Sequence, residues 1–218
     1  MARHTVGGVE KKLPEPVVIL ANGDLLTHRR PLSTLKSAGT LICTDGAAVS
    51  AVIQGRNPDI VIGDMDSLDK GSLQNDIDFI EIPHHDSTDL EKALDWCMEQ
   101  GVTSVTLLGL SGGREDHMLA NFSILADCQG KLNLMAITDH HTVHPISAEK
   151  QFQSISGATV SLLTANGQPE VTTAGLRYPL EKEPLRSGGH GISNVTEGDN
   201  FSVGVTGGLV LVFIGHGD

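Results

Sequence analysis

The change of pattern near residue 138 constrains this chain most. From residue 17 to residue 138 short apolar runs alternate with stretches of helical periodicity, the arrangement that a parallel sheet with crossover helices produces. Beyond it the chain turns to short alternating runs punctuated by Gly, Pro and Asn, which reads as antiparallel β structure. In the first part strands are predicted at 17–21, 40–44, 59–62, 79–82, 104–108 and 132–137. In the second they fall at 158–164, 171–176, 200–206 and 209–214. Pro31 opens a helix with Leu32 and Leu35 inside, Val49, Val52 and Ile53 mark a second that stops at Gly55, and Leu119, Asn121 and Phe122 belong to another. The clearest helix covers 89–100, where Leu90, Ala93, Leu94, Cys97 and Met98 recur on one face and Thr88 with Glu91 makes a capping box. Trp96 is assigned to packing or a partial interface. The expected architecture is α/β: a tail over 1–16, a parallel sheet with flanking helices over 17–138, and a small all-β domain over 139–218.

The 218 residues suffice for one good core or two modest ones. A formal charge of −12 argues against a nucleic-acid partner, which needs clustered Lys and Arg for its phosphates. No apolar run approaches the ~20 residues of a membrane span, and the polar N-terminus lacks a signal-peptide core. Cys43, Cys97 and Cys128 form no C-x-x-C pair and lie in apolar stretches, so a reduced, cytoplasmic protein is expected.

Four segments follow predicted strands of the first domain, where an open parallel sheet places its ligand crevice. Thr44-Asp45-Gly46 is the first. In the second, Gly63-Asp64-Met65-Asp66-Ser67, two carboxylates at i and i+2 beside a permissive glycine suit a hard cation such as Mg2+, although a solvated turn has the same composition. The third, Asp86-Ser87-Thr88-Asp89, is also explained by helix capping alone. The fourth, Gly112-Gly113-Arg114-Glu115-Asp116-His117, offers amides and a guanidinium to phosphate. No G-x-x-x-x-G-K-[ST] loop occurs in the chain. The pairs His84–His85 and His140–His141, with His144, lack metal-ligand spacing and read as surface or loop histidines.

Taken in order, these segments resemble the thiamine pyrophosphokinase family. Its patterns stand here as Thr44-Asp45-Gly46, Pro58-Asp59 with Gly63-Asp64-Met65-Asp66-Ser67, Asp86 through Leu94, and Gly112 through His117 with Asn121. Gly175-Leu176-Arg177-Tyr178-Pro179-Leu180 and Gly191-Ile192-Ser193-Asn194 resemble the family's thiamine-side motifs. Thr44 and Ala47 depart from the small residues usual around the first Asp-Gly. The resemblance implies an N-terminal Rossmann-like α/β nucleotide domain and a C-terminal all-β sandwich-like domain, and transfer of pyrophosphate from ATP to thiamine, giving thiamine diphosphate and AMP, in a homodimer with active sites shared between subunits. It implies Asp64, Asp66 and Asp89 as Mg2+ ligands, with Asp116 and Arg114 as further catalytic residues. Asp45, Gly46, Asp86, Thr88, Gly112, Gly113, Arg114, His117 and Asn121 would meet ATP, and Tyr178, Ser193 and Asn194 would meet thiamine. A pyrophosphokinase for another heterocyclic alcohol, such as a hydroxymethylpterin, and a non-catalytic nucleotide or thiamine sensor are the competing readings.

Overall fold

The computed structural model describes residues 3–6, 9–65, 73, 76–83, 86–186 and 188–217. The chain divides into two compact units, one comprising 1–124 and 130–139, the other 125–129 and 140–218.

At the N-terminus, where a loose tail is expected, β1 (Arg3–Val6) and β2 (Val9–Lys12) satisfy each other's backbone groups in an antiparallel ribbon. Six further strands of the first unit follow: β3 (Val17–Leu20), β4 (Thr40–Thr44), β5 (Ile60–Gly63), β6 (Asp78–Glu81), β7 (Ser104–Leu108) and β8 (Asn133–Ile137). They lie in the order β8-β7-β3-β4-β5-β6, and every pairing is parallel. β3, β4 and β5 are buried at every position, which is why the sequence reads there as continuous apolar runs rather than alternation. The chain runs outward from β3 to β6, then returns to the other side of β3 with β7. The strand order therefore reverses between β3 and β7, and the loops after those two strands flank a topological switch point.

Helices α1 (Arg29–Lys36), α2 (Ala47–Ile53), α3 (Asp89–Glu99) and α4 (Glu115–Asp127) follow β3, β4, β6 and β7. α1 begins two residues before the expected Pro31. His28 caps it through Nδ1, leaving Pro31 in the first turn, where a missing N–H costs nothing. α2 buries Ala47, Ala48 and Ala51 while Val49 and Ile53 face outward, so small side chains carry its approach to the sheet. α3 carries the anticipated capping box: Thr88 Oγ1 accepts from Glu91 N at 3.3 Å and Glu91 Oε2 accepts from Thr88 N at 2.8 Å. Trp96 is buried in it.

The second unit is built on two long antiparallel strands, β11 (Thr159–Ala174) and β14 (Asn200–Gly215). Shorter strands extend their edges: β9 (His141–Ile146) and β10 (Lys150–Gln153) on β14, β12 (Glu183–Pro184) and β13 (Asn194–Val195) on β11. Each long strand spans two predicted ones, because the Asn166-Gly167 and Gly207-Gly208 signals mark irregularities in a continuous ladder and not breaks. The register shifts at Thr164/Asn166 and Gly167/Glu170, and a Cβ on Gly208 would lie 2.5 Å from Asn166 O. Val160, Leu162 and Val171 of β11 share one core with Phe201, Val203, Val205, Val210 and Val212 of β14. Both halves of the long pair thus enclose a single apolar interior, as a sandwich requires. His141 and His144 sit in β9, not in loops, against Phe213 and Phe152. His84 and His85 lie outside the described residues. Among the described residues no helix is long and apolar enough to cross a membrane.

Candidate active site

A cleft of about 470 Å³ opens at the carboxyl edge of the parallel sheet. Its floor begins at the switch point, where Asn22 and Gly23 follow β3 and Gly112, Gly113 and Arg114 follow β7. Across it stand Thr44 and Asp45 from the end of β4, and Thr88, Asp89 and Leu90 from the start of α3. His117 and Asn121 complete the lining from α4, and Asn121 Nδ2 donates to Leu110 O at 3.1 Å.

Asp45, Asp64 and Asp89 each bring a carboxylate oxygen within 4.8 Å of the other two. Three successive loops deliver them: Asp45 follows β4, Asp64 follows β5, and Asp89 opens α3. Gly63 is what lets them converge. A Cβ there would sit 2.9 Å from Asp45 Cβ and 3.4 Å from Asp89 Cγ, so any larger residue would part the carboxylates. Met65, in the same turn as Asp64, is held at φ 63, a conformation that costs a non-glycine residue free energy and tends to mark functional turns. Asp45 is 5% exposed, and Asp89 forms an ion pair at 2.9 Å with Lys92, whose side chain is 2% exposed. Asp66 lies outside the described residues.

Opposite the carboxylates, the two switch-point loops interlock. Asp24 N donates to Ser111 O at 3.0 Å, and Asp24 Oδ1 accepts from Gly113 N at 3.2 Å. Gly112 has φ 89 and packs so closely on Asp24 that a Cβ would come within 2.1 Å of its Cγ. The Gly113 amide, anticipated as a phosphate donor, is thus engaged by a carboxylate. Arg114 forms a two-pronged pair with Asp116, Nε to Oδ1 at 3.1 Å and Nη2 to Oδ2 at 2.6 Å. That hydrogen-bonded pairing holds the Asp116 carboxyl below the usual carboxylate range, and the His117 N–H at 3.0 Å acts in the same direction. Asp116 therefore stands with Arg114 and outside the carboxylate group.

Of the remaining anticipated residues, Gly46 does not line the cleft and has its α-carbon against Asn22, where a Cβ would meet Nδ2 at 2.4 Å. Asp86 is exposed and does not line it. Asp59, part of the Pro58-Asp59 pattern, precedes β5 at the opposite edge and accepts from Leu41 N at 2.7 Å and Arg56 Nη2 at 2.6 Å. Sequence reasoning passed over Asn22, Gly23 and Asp24, although Asn-Gly directly after a central strand is the signal that marks them. It also assigned Asp45 to ATP, whereas the fold groups it with Asp64 and Asp89.

In the second unit Tyr178, Ser193 and Asn194 come together. Asn194 Oδ1 accepts from Tyr178 N at 3.1 Å and from Val195 N at 2.9 Å, while its Nδ2 donates to Tyr178 O at 2.6 Å. Its side chain brackets the Tyr178 backbone, and Tyr178 is 64% exposed. Ser193 is held at φ 61, and its N–H donates to Ser161 Oγ at 3.1 Å.

Comparison with known proteins finds matches in both units. A family profile described as thiamin pyrophosphokinase, catalytic domain, matches residues 32–137, and one described as thiamin pyrophosphokinase, vitamin B1 binding domain, matches residues 140–210. The chain is 32% identical over 94 residues to thiamin pyrophosphokinase 1 of Caenorhabditis elegans, spanning 38% of either chain. It is 26% identical over 148 residues to thiamine pyrophosphokinase of Bacillus subtilis, covering 64% of this chain and 69% of the relative. The crystal structure of the Bacillus subtilis protein superposes with a TM-score of 0.76 at 22% identity, over 93% of this chain and 99% of that one, a likeness of fold.

Proposed function

The chain belongs to the thiamin pyrophosphokinase family, and from that premise we propose that it transfers the pyrophosphoryl group of ATP to the hydroxyl of thiamine, releasing AMP. The observation that carries this reading is the convergence of Asp45, Asp64 and Asp89 within 4.8 Å beside a glycine loop and an arginine.

The donor set fits a hard divalent cation. It offers only carboxylate oxygens, and it closes over a glycine position that no Cβ could share. Asp45, Asp64 and Asp89 would hold Mg2+, with Asp66 as a further ligand on the strength of the motif it shares with Asp64. Bound there, Mg2+ would supply positive charge that offsets the charge of the polyphosphate. The residues of the chain do the rest by positioning, since this chemistry needs in-line approach more than a covalent nucleophile. Arg114 binds phosphate oxygens as a planar cation, and Asp116 fixes the orientation of that guanidinium. Thr88, His117 and Asn121 line the nucleotide's part of the cleft together with Gly112 and Gly113. Asp45 contributes its carboxylate to the group with Asp64 and Asp89, Gly46 packs on Asn22, and Asp86 is exposed outside the cleft lining.

Thiamine is assigned to the second unit, with Tyr178 as an aromatic neighbour and Ser193 beside it. Asn194 acts there by holding the Tyr178 loop in place. We further propose a homodimer in which each site joins the first unit of one subunit to the second unit of its partner. Cys43, Cys97 and Cys128 are buried and form no disulfide, which suits a reducing, cytoplasmic setting.

Incubation with ATP, Mg2+ and thiamine, followed by identification of products, tests the proposal. Thiamine diphosphate and AMP are expected in equal amounts. Turnover of a hydroxymethylpterin in preference to thiamine, release of free phosphate without thiamine, or nucleotide binding without turnover would each overturn it.

A further inference from the structure

Among the described residues two charged side chains are buried, and they carry opposite signs: Asp45 at 5% exposure and Lys92 at 3%. Both belong to one constellation. Lys92 Nζ lies 2.9 Å from Asp89 Oδ1, and Asp89 shares the 4.8 Å carboxylate group with Asp45 and Asp64. A buried ammonium is costly unless a counter-charge compensates it, and three carboxylates at this spacing repel one another unless a cation compensates them. Each problem answers the other. The pair joins positions i and i+3 of α3, so the helix backbone fixes its geometry, and the ammonium on Oδ1 restrains rotation of the Asp89 carboxylate.

We infer that Lys92 is a positioning residue: an internal counter-ion that holds Asp89 in the carboxylate group and offsets part of the group's charge while no divalent cation is bound. This rests on the cation-site reading given above. It separates Lys92 from a side chain that merely fills space in α3, because only a counter-ion makes the fold's need for Mg2+ depend on the residue at position 92. A lysine in this position also holds the Asp89 carboxylate in place before the nucleotide arrives, so the site waits in its ligand-ready arrangement.

Thermal melting in chelator and then in Mg2+ alone, at matched ionic strength and without nucleotide, tests this on the wild type and on Lys92→Met. Lys92→Met is expected to melt about 10 °C lower in chelator. Mg2+ is expected to return at least twice as many degrees to the variant as it adds to the wild type. An equal gain in both proteins would overturn the inference alone, whereas a wild type that gains nothing from Mg2+ overturns the cation-site reading beneath it. If Lys92→Met does not fold, Lys92→Met with Asp89→Asn decides the matter. Removing both partners should restore a folded protein in chelator, and a double variant as unfolded as the single one would leave Lys92 a packing residue only.

Discussion

In the first unit, three loops aim the carboxylates of Asp45, Asp64 and Asp89 at one another, whereas in the second the polar atoms of Asn194 are turned onto the backbone of Tyr178 and Val195. One unit stores like charge at close range, and the other spends its hydrogen bonds on shape. The difference follows from the sheets. Parallel strands release all their loops at the same edge, so groups far apart in sequence converge there. The long β11–β14 ladder pairs its own residues, and its loops bond to nearby strands. The first unit should therefore be sensitive to the loss of a charge, and the second to the loss of a bracket.

Asp64→Asn should have the largest effect. Removal of one ligand charge is expected to lower kcat by about 10²- to 10³-fold, with melting in chelator unchanged or raised, because a like charge has been relieved. A variant that keeps its turnover at saturating Mg2+ would show that the carboxylates do not act together.

The units can also be broken separately and recombined. Asp64→Asn and the double variant Ser193→Ala with Asn194→Ala, refolded together, should regain about a quarter of wild-type activity. Random pairing makes half of the dimers mixed, and each mixed dimer has one of its two sites intact under two-fold symmetry. No recovery, with mixed dimers demonstrated, would mean that one chain supplies the whole of each site.

Asn194→Ala alone should raise the KM for thiamine by about tenfold, the effect of losing a bracket worth ~1.4 kcal/mol, and leave the KM for ATP unchanged. Equal changes in both constants would erase the distinction between the units.

The smallest effect concerns pH. Burial, followed by the neighbouring His140, lowers the proton affinity of His141 below its ordinary value of 6.5. The unfolded chain then binds the proton more readily, so this group's contribution to stability is complete above 6.5 and declines as pH falls through it. The Asp116 carboxyl is also lowered, but its ordinary value is 3.8, so the Arg114–Asp116 pair contributes no change between about pH 5 and 8. His141 is half-exposed, and His141→Gln should flatten the melting profile between pH 7.5 and 5.5 by only ~2 °C. An unchanged profile would remove His141 as its source.

Periodicity and capping lie in adjacent residues, so the sequence by itself determined the strands of the parallel sheet and the Thr88 cap of α3. It determined, too, that carboxylates and a glycine loop follow those strands. Only the tertiary structure decided which of them meet. Asp45 and Asp89 are 44 positions apart, and nothing local says that Gly63 leaves room for both. A lysine between Glu91 and Ala93 reads as solvated until α3 packs and turns it inward to Asp89. The Asn-Gly and Gly-Gly signals of the second unit were legible as irregularity, yet whether they end a strand or bend one depends on the partner strand across the ladder. Local signals fix backbone conformation through steric and hydrogen-bonding preferences over a few residues. The choice of neighbours is made by burial and charge over the whole fold, and that is where Asp24, Lys92 and the Asn194 bracket acquire their roles.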